Sequence, residues 1–316
     1  MRFGVYAAPR LGRCAGGRRE TGLVRLWILR VVWLALPLAA GTAASSALGE
    51  LDGASDVVGA ALLWLAWGAG LIALLEPRPV GLTAIRVVAP TFVVLAFAIA
   101  LAGAASAIAA WGAVIATVVA ALLVADPAFA LRAVNGASYG DERRHPLRTP
   151  PGLYLAPVPL ARALVAAGIA AGPLLLADGA IVAGLASLVL GWPVAALAAR
   201  ALHTLARRWI VLVPAGVVLV DPMTVADPVL FVRQHVRALR AVDGAAPIPP
   251  GALDLRLGAS WGSIRLDLDG GADLVRSAGR GRTQETLQPD VIVVAVAARG
   301  ALLAAAAQRR VRVELA

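Results

Sequence analysis

The apolar residues of this chain fall into six long runs, and that arrangement limits the folds open to it. The runs lie at about 31–48, 57–75, 87–103, 107–125, 158–177 and 180–199. A helix needs about 20 apolar residues to cross the hydrocarbon of a bilayer, and each run is of that order. The stretch from Val87 to Ala125 is nearly twice that length and must fold back on itself. Gly103-Ala-Ala-Ser106 near its middle supplies the turn, and Asp178-Gly179 divides the last two runs in the same way. Hydrophobic residues make up 60% of the chain, against about 45–50% in a soluble domain. The expectation is a six-span membrane bundle.

The formal net charge is +10, and every basic residue is Arg. The charge follows the runs. One set of connections carries Glu50, Asp52, Asp56 and Asp178 and no Arg. The other carries the tail at 1–30, with Arg2, Arg10, Arg13, Arg18, Arg19, Arg25 and Arg30. It also carries Arg78, Arg86, Arg132, Arg143, Arg144, Arg148, Arg200, Arg207 and Arg208. Basic loops stay on the cytoplasmic side, so the expectation is a multi-pass cell-membrane protein with both termini in the cytoplasm. Topology accounts for the basicity, and no nucleic-acid partner is implied. The tail and first run resemble a signal peptide, but five further runs make an uncleaved anchor the simpler reading. Cys14 is the only cysteine, so it forms no disulfide within the chain and belongs to no thiolate metal cluster.

The bundle interior reads as chemically quiet, with no ionisable residue in the middle of spans two to six. Gly168-Ile-Ala-Ala-Gly172 is a small-residue face suited to close helix approach. Trp27, Trp33 and Trp111 lie near span ends, where indoles favour the membrane interface. Trp64 and Trp67 fall deeper and read as packing residues. The loop at 126–157 holds the densest polar cluster of this half. Asp141, Glu142 and His145 are acid/base candidates there, and Arg143 and Arg144 are candidates to hold an anion. The plainer reading is a solvated loop whose arginines touch anionic headgroups.

A joint at 200–208 leads into a different pattern over 209–316. Trp209-Ile-Val-Leu-Val and Val217-Val-Leu-Val flank Pro214-Ala-Gly216, a hairpin signal. Leu253, Leu255 and Leu257 alternate with Asp254 and Arg256, and Ile264, Leu266 and Leu268 with Arg265 and Asp267. Val291–Val296 has strand length, and Ala301-Leu-Leu-Ala-Ala-Ala-Ala is a helix by propensity. Asp267, Asp269 and Asp273 form only a fragment of a calcium loop and read as the outer face of a strand. Arg280 and Arg282 lie in a Gly-rich loop able to wrap a phosphate. Leu202, Leu205 and Trp209 can carry the sixth helix along the interface, so that the module packs on the membrane face and on the 126–157 loop.

Strands closed by a terminal helix, carried by WIVLVPAGVVLVD and VIVVAVAARGALLAAAAQRR, resemble a bacterial PH-like domain. The whole layout resembles actinobacterial multi-pass membrane proteins ending in such a domain. The fold expected is therefore an α-helical integral membrane bundle followed by a small cytoplasmic antiparallel β domain with a C-terminal helix, PH-like. The resemblance implies contact or assembly rather than catalysis. The expected function is a membrane-anchored interaction or scaffold protein. Its cytoplasmic domain would face a protein partner, a second copy or the anionic inner leaflet. The alternatives are a transporter or channel component for a neutral or lipidic substrate, and a membrane enzyme using residues 135–152. No motif calls for a catalytic residue, metal or cofactor. Arg143, Arg144, Arg207, Arg208, Arg280 and Arg282 are the candidate contacts to an anionic headgroup or phosphate.

Overall fold

The computed structural model describes residues 12–270, 273–276 and 285–314, with side chains from residue 23 onward. Its first half is helical: α1 (Gly12–Leu48), α2 (Ala54–Leu75), α3 (Pro79–Ala102), α4 (Ala107–Val124), a short α5 (Pro127–Asn135), α6 (Pro157–Ala177) and α7 (Ile181–Ala206). Six of these, all but α5, contain segments long and apolar enough to cross a membrane; in α1 the segment is Leu23–Leu48. Their outward faces are apolar, with Leu38, Ile108 and Val182 almost fully exposed. Such a surface suits hydrocarbon and not water.

Local chemistry sets the helix ends. Gly103 takes a left-handed φ of 70° and closes α3, and Ser106 caps α4 by accepting a hydrogen bond from Ala109 N. A glycine has no Cβ to oppose that conformation. Pro79 and Pro157 open α3 and α6, where a missing N–H costs nothing. Three helices outrun their apolar runs. α1 begins at Gly12 rather than at Val31. α3 begins at Pro79 rather than Val87, which puts Arg86 inside it, and α7 continues through Arg200 to Ala206. The expected interfacial position of Trp33 is corrected. Its ring is fully buried against Gly70, and its Nε1 donates to Trp67 O at 3.0 Å while Trp67 Nε1 donates to Trp33 O at 2.9 Å. The pair satisfies both indoles and locks α1 to α2.

The small-residue face of α6 is used within the chain. A Cβ on Gly168 would lie 2.6 Å from Gly191 O, and one on Gly172 would lie 2.5 Å from Leu188 Cδ2. α6 and α7 therefore touch backbone to backbone.

The second half is rich in sheet. The strands are β1 (Arg143–Pro146), β2 (Trp209–Val213), β3 (Gly216–Val220), β4 (Val229–Val232), β5 (Val236–Ala241), β6 (Leu253–Asp254), β7 (Ser263–Leu268), β8 (Leu274–Val275), β9 (Thr286–Leu287), β10 (Val291–Ala295) and β11 (Val313–Glu314), with α8 (Arg299–Gln308) before the last. One sheet runs β1-β2-β3-β4, a second runs β11-β5-β7-β10-β6, and β8 pairs with β9. The first sheet is antiparallel throughout. The second has parallel pairings at both edges, β11 with β5 and β6 with β10. The alternation at 253–257 yields only the two residues of β6, because Leu257 turns out at a φ of 53° and is exposed. Leu212, Phe231, Leu239, Ile264, Leu266, Ile292, Leu302 and Ala306 share one core between the sheets and α8.

Gly168→Leu is expected to lower the thermal stability of the purified chain in detergent by about 1–3 kcal/mol, since the side chain must push α6 off α7. Gly112→Leu, which faces open space, leaves stability unchanged or raises it, because leucine is the better helix former.

Candidate functional site at the joint between bundle and sheet

The loop between α4 and α6 contributes a strand to the sheet domain. β1 pairs with β2 along its whole length, with Arg143 opposite Leu212 and Pro146 opposite Trp209. Beyond it, Leu147 bridges to Val296, and Arg148 N donates to Ala295 O at 2.8 Å. The loop therefore ties the first sheet to the second. Asn135, the last residue of α5, holds the outer edge of β1. Its side chain accepts from Arg144 N at 2.9 Å and donates to Arg144 O at 2.7 Å. A side-chain amide presents a donor beside an acceptor, as a neighbouring strand would, and the second proton of Asn135 Nδ2 goes to Leu131 O at 2.7 Å.

Opposite residues of an antiparallel pair share a face. Trp209, Val211, Val218 and Val220 lie on one face and pack with the bundle residues Leu26, Phe129, Ala130 and Val134. Ile210, Leu212, Val217, Leu219 and Phe231 lie on the other, in the core of the sheet domain. Both faces of the hairpin are covered, which is why its sequence is continuously apolar rather than alternating.

Arg208 stands at the centre of the joint. It is 2% exposed and Asp221 is 1% exposed. Arg208 Nε donates to Asp221 Oδ1 at 2.6 Å, and the terminal Nη2 donates to Oδ2 at 2.7 Å. Its remaining arm donates to Arg148 O at 3.0 Å, and its carbonyl accepts from Leu147 N at 2.9 Å. Asp221 also accepts from Met223 N at 3.1 Å. Every arm of the guanidinium is therefore engaged inside the protein, and Arg208 is not at the headgroups where the sequence reading put it. Its position one residue past the α7 cap, directly before β2, accounts for this: the chain has already entered the sheet.

The other sequence candidates scatter. Arg144 bonds Glu142 at 2.6 Å and lies over the Trp209 ring, 5.2 Å from its centroid. Arg143 and Arg207 are exposed, 64 residues apart in sequence and on different elements. Arg280 and Arg282 lie outside the described residues. Asp141 accepts from Arg309, the residue that follows α8, at 3.0 Å, and Arg309 also donates to Leu212 O at 2.9 Å. His145 is buried on the core face of β1, opposite Ile210, and neither ring nitrogen has a hydrogen-bond partner. Asp141, Glu142 and His145 do not converge on a cavity. In the far sheet Asp267 accepts from Arg240 at 2.6 Å and from Arg265 at 2.5 Å, and Asp269 pairs with Arg237. Asp273 accepts from Gln288 at 2.5 Å. These aspartates answer neighbouring side chains on the sheet.

One grouping escaped the sequence reading. Arg86 and Arg162, from α3 and α6, line one cleft with Thr83, Thr149, Tyr154 and Leu202. An arginine within an apolar span was the available signal. His203 closes the neighbouring contact. Thr83 Oγ1 lies within hydrogen-bond distance of both Pro79 O, at 3.1 Å, and His203 Nδ1, at 3.0 Å.

No family model matches the chain, and no curated protein or solved structure matches it either. The geometry carries the functional reading.

Asp221→Ala leaves the Arg208 guanidinium buried without its partner and is expected to cost about 3–5 kcal/mol in thermal unfolding. The double change Arg208→Met with Asp221→Leu removes both charges and recovers most of that loss. His145 gives a pH test. Burial, then Arg309 and Arg143, lower its pKa from 6.5 to about 4. The unfolded chain therefore takes up the proton first. The stability held by the neutral ring is complete above about pH 6.5 and is lost as the pH falls toward 4, by about 2 kcal/mol at pH 5. A melting temperature that falls between pH 7 and 5 in the native chain, and falls less in His145→Phe, is the expected result.

Proposed function

We propose that the protein is a membrane-anchored interaction or scaffold protein. Its bundle holds a PH-like sheet domain at the cytoplasmic surface of the cell membrane, in one fixed orientation, for a protein partner. The observation that carries this reading is the joint. The domain borrows β1 from the bundle, lays one face of its first sheet on α1 and α5, and is pinned by Arg208 and Asp221. A domain on a free linker searches; one welded to a bundle displays the same surface to every comer. The pattern that suggested a PH-like fold was antiparallel strands followed by a C-terminal helix; the antiparallel first sheet and α8 support it, while the parallel edges of the second sheet and the strand β11 after α8 depart from it. The Arg-rich connections lie on the side that carries the domain, which supports the cytoplasmic placement.

The displayed surface has an anchor of the right kind. Trp261, in the turn before β7, is 79% exposed, and the nearby Leu257 is exposed as well. Exposed tryptophans are the residues most enriched among those that dominate binding energy at protein interfaces.

The test places a photocrosslinking amino acid at position 261 of the full-length chain in cells. A discrete adduct with one cytoplasmic protein is expected. The adduct should be lost when Leu257→Ser thins the surface, or when a Gly/Ser linker after Arg208 frees the domain. Absence of any adduct from position 261 and from other exposed domain positions, in a chain that melts normally, would overturn the reading.

A further inference from the structure

The cleft of Arg86 and Arg162 lies where α3, α6 and the end of α7 meet the returning loop. Arg86 is the eighth residue of α3 and Arg162 the sixth of α6, so both sit about two turns inside apolar helices. No Asp or Glu lines the cleft. Neither arginine forms an ion pair among the described residues. Arg162 Nε is buried and has no hydrogen-bond partner. Arg148 Nε is likewise buried without a partner, whereas the fully buried Arg208 is held bidentately by Asp221. Two guanidinium groups without an ion-pair partner in one partly buried cleft repel each other, and Arg162 Nε lacks the hydrogen bond that burial demands. An anion between them removes both costs.

The walls specify the anion. Arg donors in a planar fork match phosphate oxygens in pairs. Thr83, Thr149 and Tyr154 line the same space, and Tyr154 is half-exposed. The cavity is about 30 Å³, room for roughly two oxygen-sized groups. Two oxygens of a phosphate can therefore enter between the arginines while the rest of the group stays at the open mouth. Val87, Val158, Leu202 and Leu205 form the apolar side, along which the ester chain of a lipid can leave. Basic pockets between membrane helices take anionic headgroups by this chemistry.

We infer that Arg86 and Arg162 form a phosphate-binding site at the end of the bundle that carries the sheet domain, filled by the phosphate of an anionic phospholipid or by free phosphate. The inference stands apart from the partner reading above, because the cleft needs no surface of the sheet domain. It also differs from the contacts expected of Arg143, Arg144 and Arg207, which lie outside this cleft.

The full-length chain, delipidated in detergent, is titrated separately with phosphatidylglycerol and with inorganic phosphate, and binding is read from thermal unfolding and from native mass spectrometry. Native protein should retain one phosphatidylglycerol per chain and melt higher with it. Arg162→Gln and Arg86→Gln should each bind about tenfold more weakly, the loss of one charge-assisted contact, while Arg207→Gln binds as the native chain does. Protection by inorganic phosphate alone, lost in the same two variants, supports the site and assigns it to the free ion. If Arg86→Gln fails to fold, Arg162→Lys serves in its place, since it keeps the charge and loses the planar fork, and should bind with intermediate strength. Equal binding by the native chain and Arg162→Gln, or equal weakening by Arg207→Gln, would make the attraction a diffuse surface effect and overturn the inference.

Discussion

The rest of the structure depends on one buried ion pair. Arg208 follows the last turn of α7, and Asp221 follows β3, so the pair closes the base of the β2–β3 hairpin where it leaves the bundle. Taking two charges out of water costs several kcal/mol per ion, and only good geometry with further hydrogen bonds offsets that cost. Here the carboxylate is met by two guanidinium arms and by Met223 N, and the third arm reaches Arg148 O. The same residue therefore orients the hairpin and fixes the returning loop. A hydrophobic replacement of matching volume can be as stable, so the pair's particular contribution is direction: a bidentate fork permits one hairpin angle where an apolar contact tolerates several.

From that constraint the two-faced first sheet follows. With the hairpin base held at the end of α7, one face of β2 and β3 must lie on the bundle, and α5 is the element that meets it. Asp126 caps α5 by accepting from Ala128 N at 2.7 Å, and Arg25 of α1 reaches the same carboxylate at 2.7 Å. Asn135 at the other end grips β1. A nine-residue helix is marginal alone; it persists here because both ends are tied and Phe129, Ala130, Ala133 and Val134 are buried. The Arg86–Arg162 cleft adjoins this arrangement. Thr149 and Tyr154 on its rim belong to the segment that Arg208 holds through Arg148 O. The position of the sheet and the shape of the cleft are thus set by one clamp.

The six spans, the Gly103–Ser106 turn, the Trp209–Val220 hairpin, the Ile264/Leu266/Leu268 face and the final helix were all legible in the sequence. Each is a local pattern of apolar period or turn chemistry. Less visible was α5, whose Asp126-Pro127 start is a sound capping signal but whose nine residues looked like loop. The strand β1 was hidden altogether, because Arg-Arg-His-Pro has little strand character and pairs only by virtue of the edge that β2 offers. The continuous apolar run of β2 was read as one strand of a hairpin, though it also signalled cover on both faces. Of the arginines expected at headgroups, Arg208 and Arg144 found partners inside the protein, and Arg162 was passed over because it sits within an apolar run.

What the sequence determined by itself was the number and placement of the membrane helices and the division into a helical and a sheet-rich half. Those are local properties: hydrocarbon demands that each span satisfy its own backbone and be apolar along about 20 residues, and no distant residue can change that. Only the tertiary structure decided which charges are paired, which strand comes from the loop, and which arginines line one cleft together. Charge pairing depends on distances of a few ångströms between residues far apart in the chain, as Arg25 is from Asp126 or Arg309 from Asp141, and no local pattern encodes those distances.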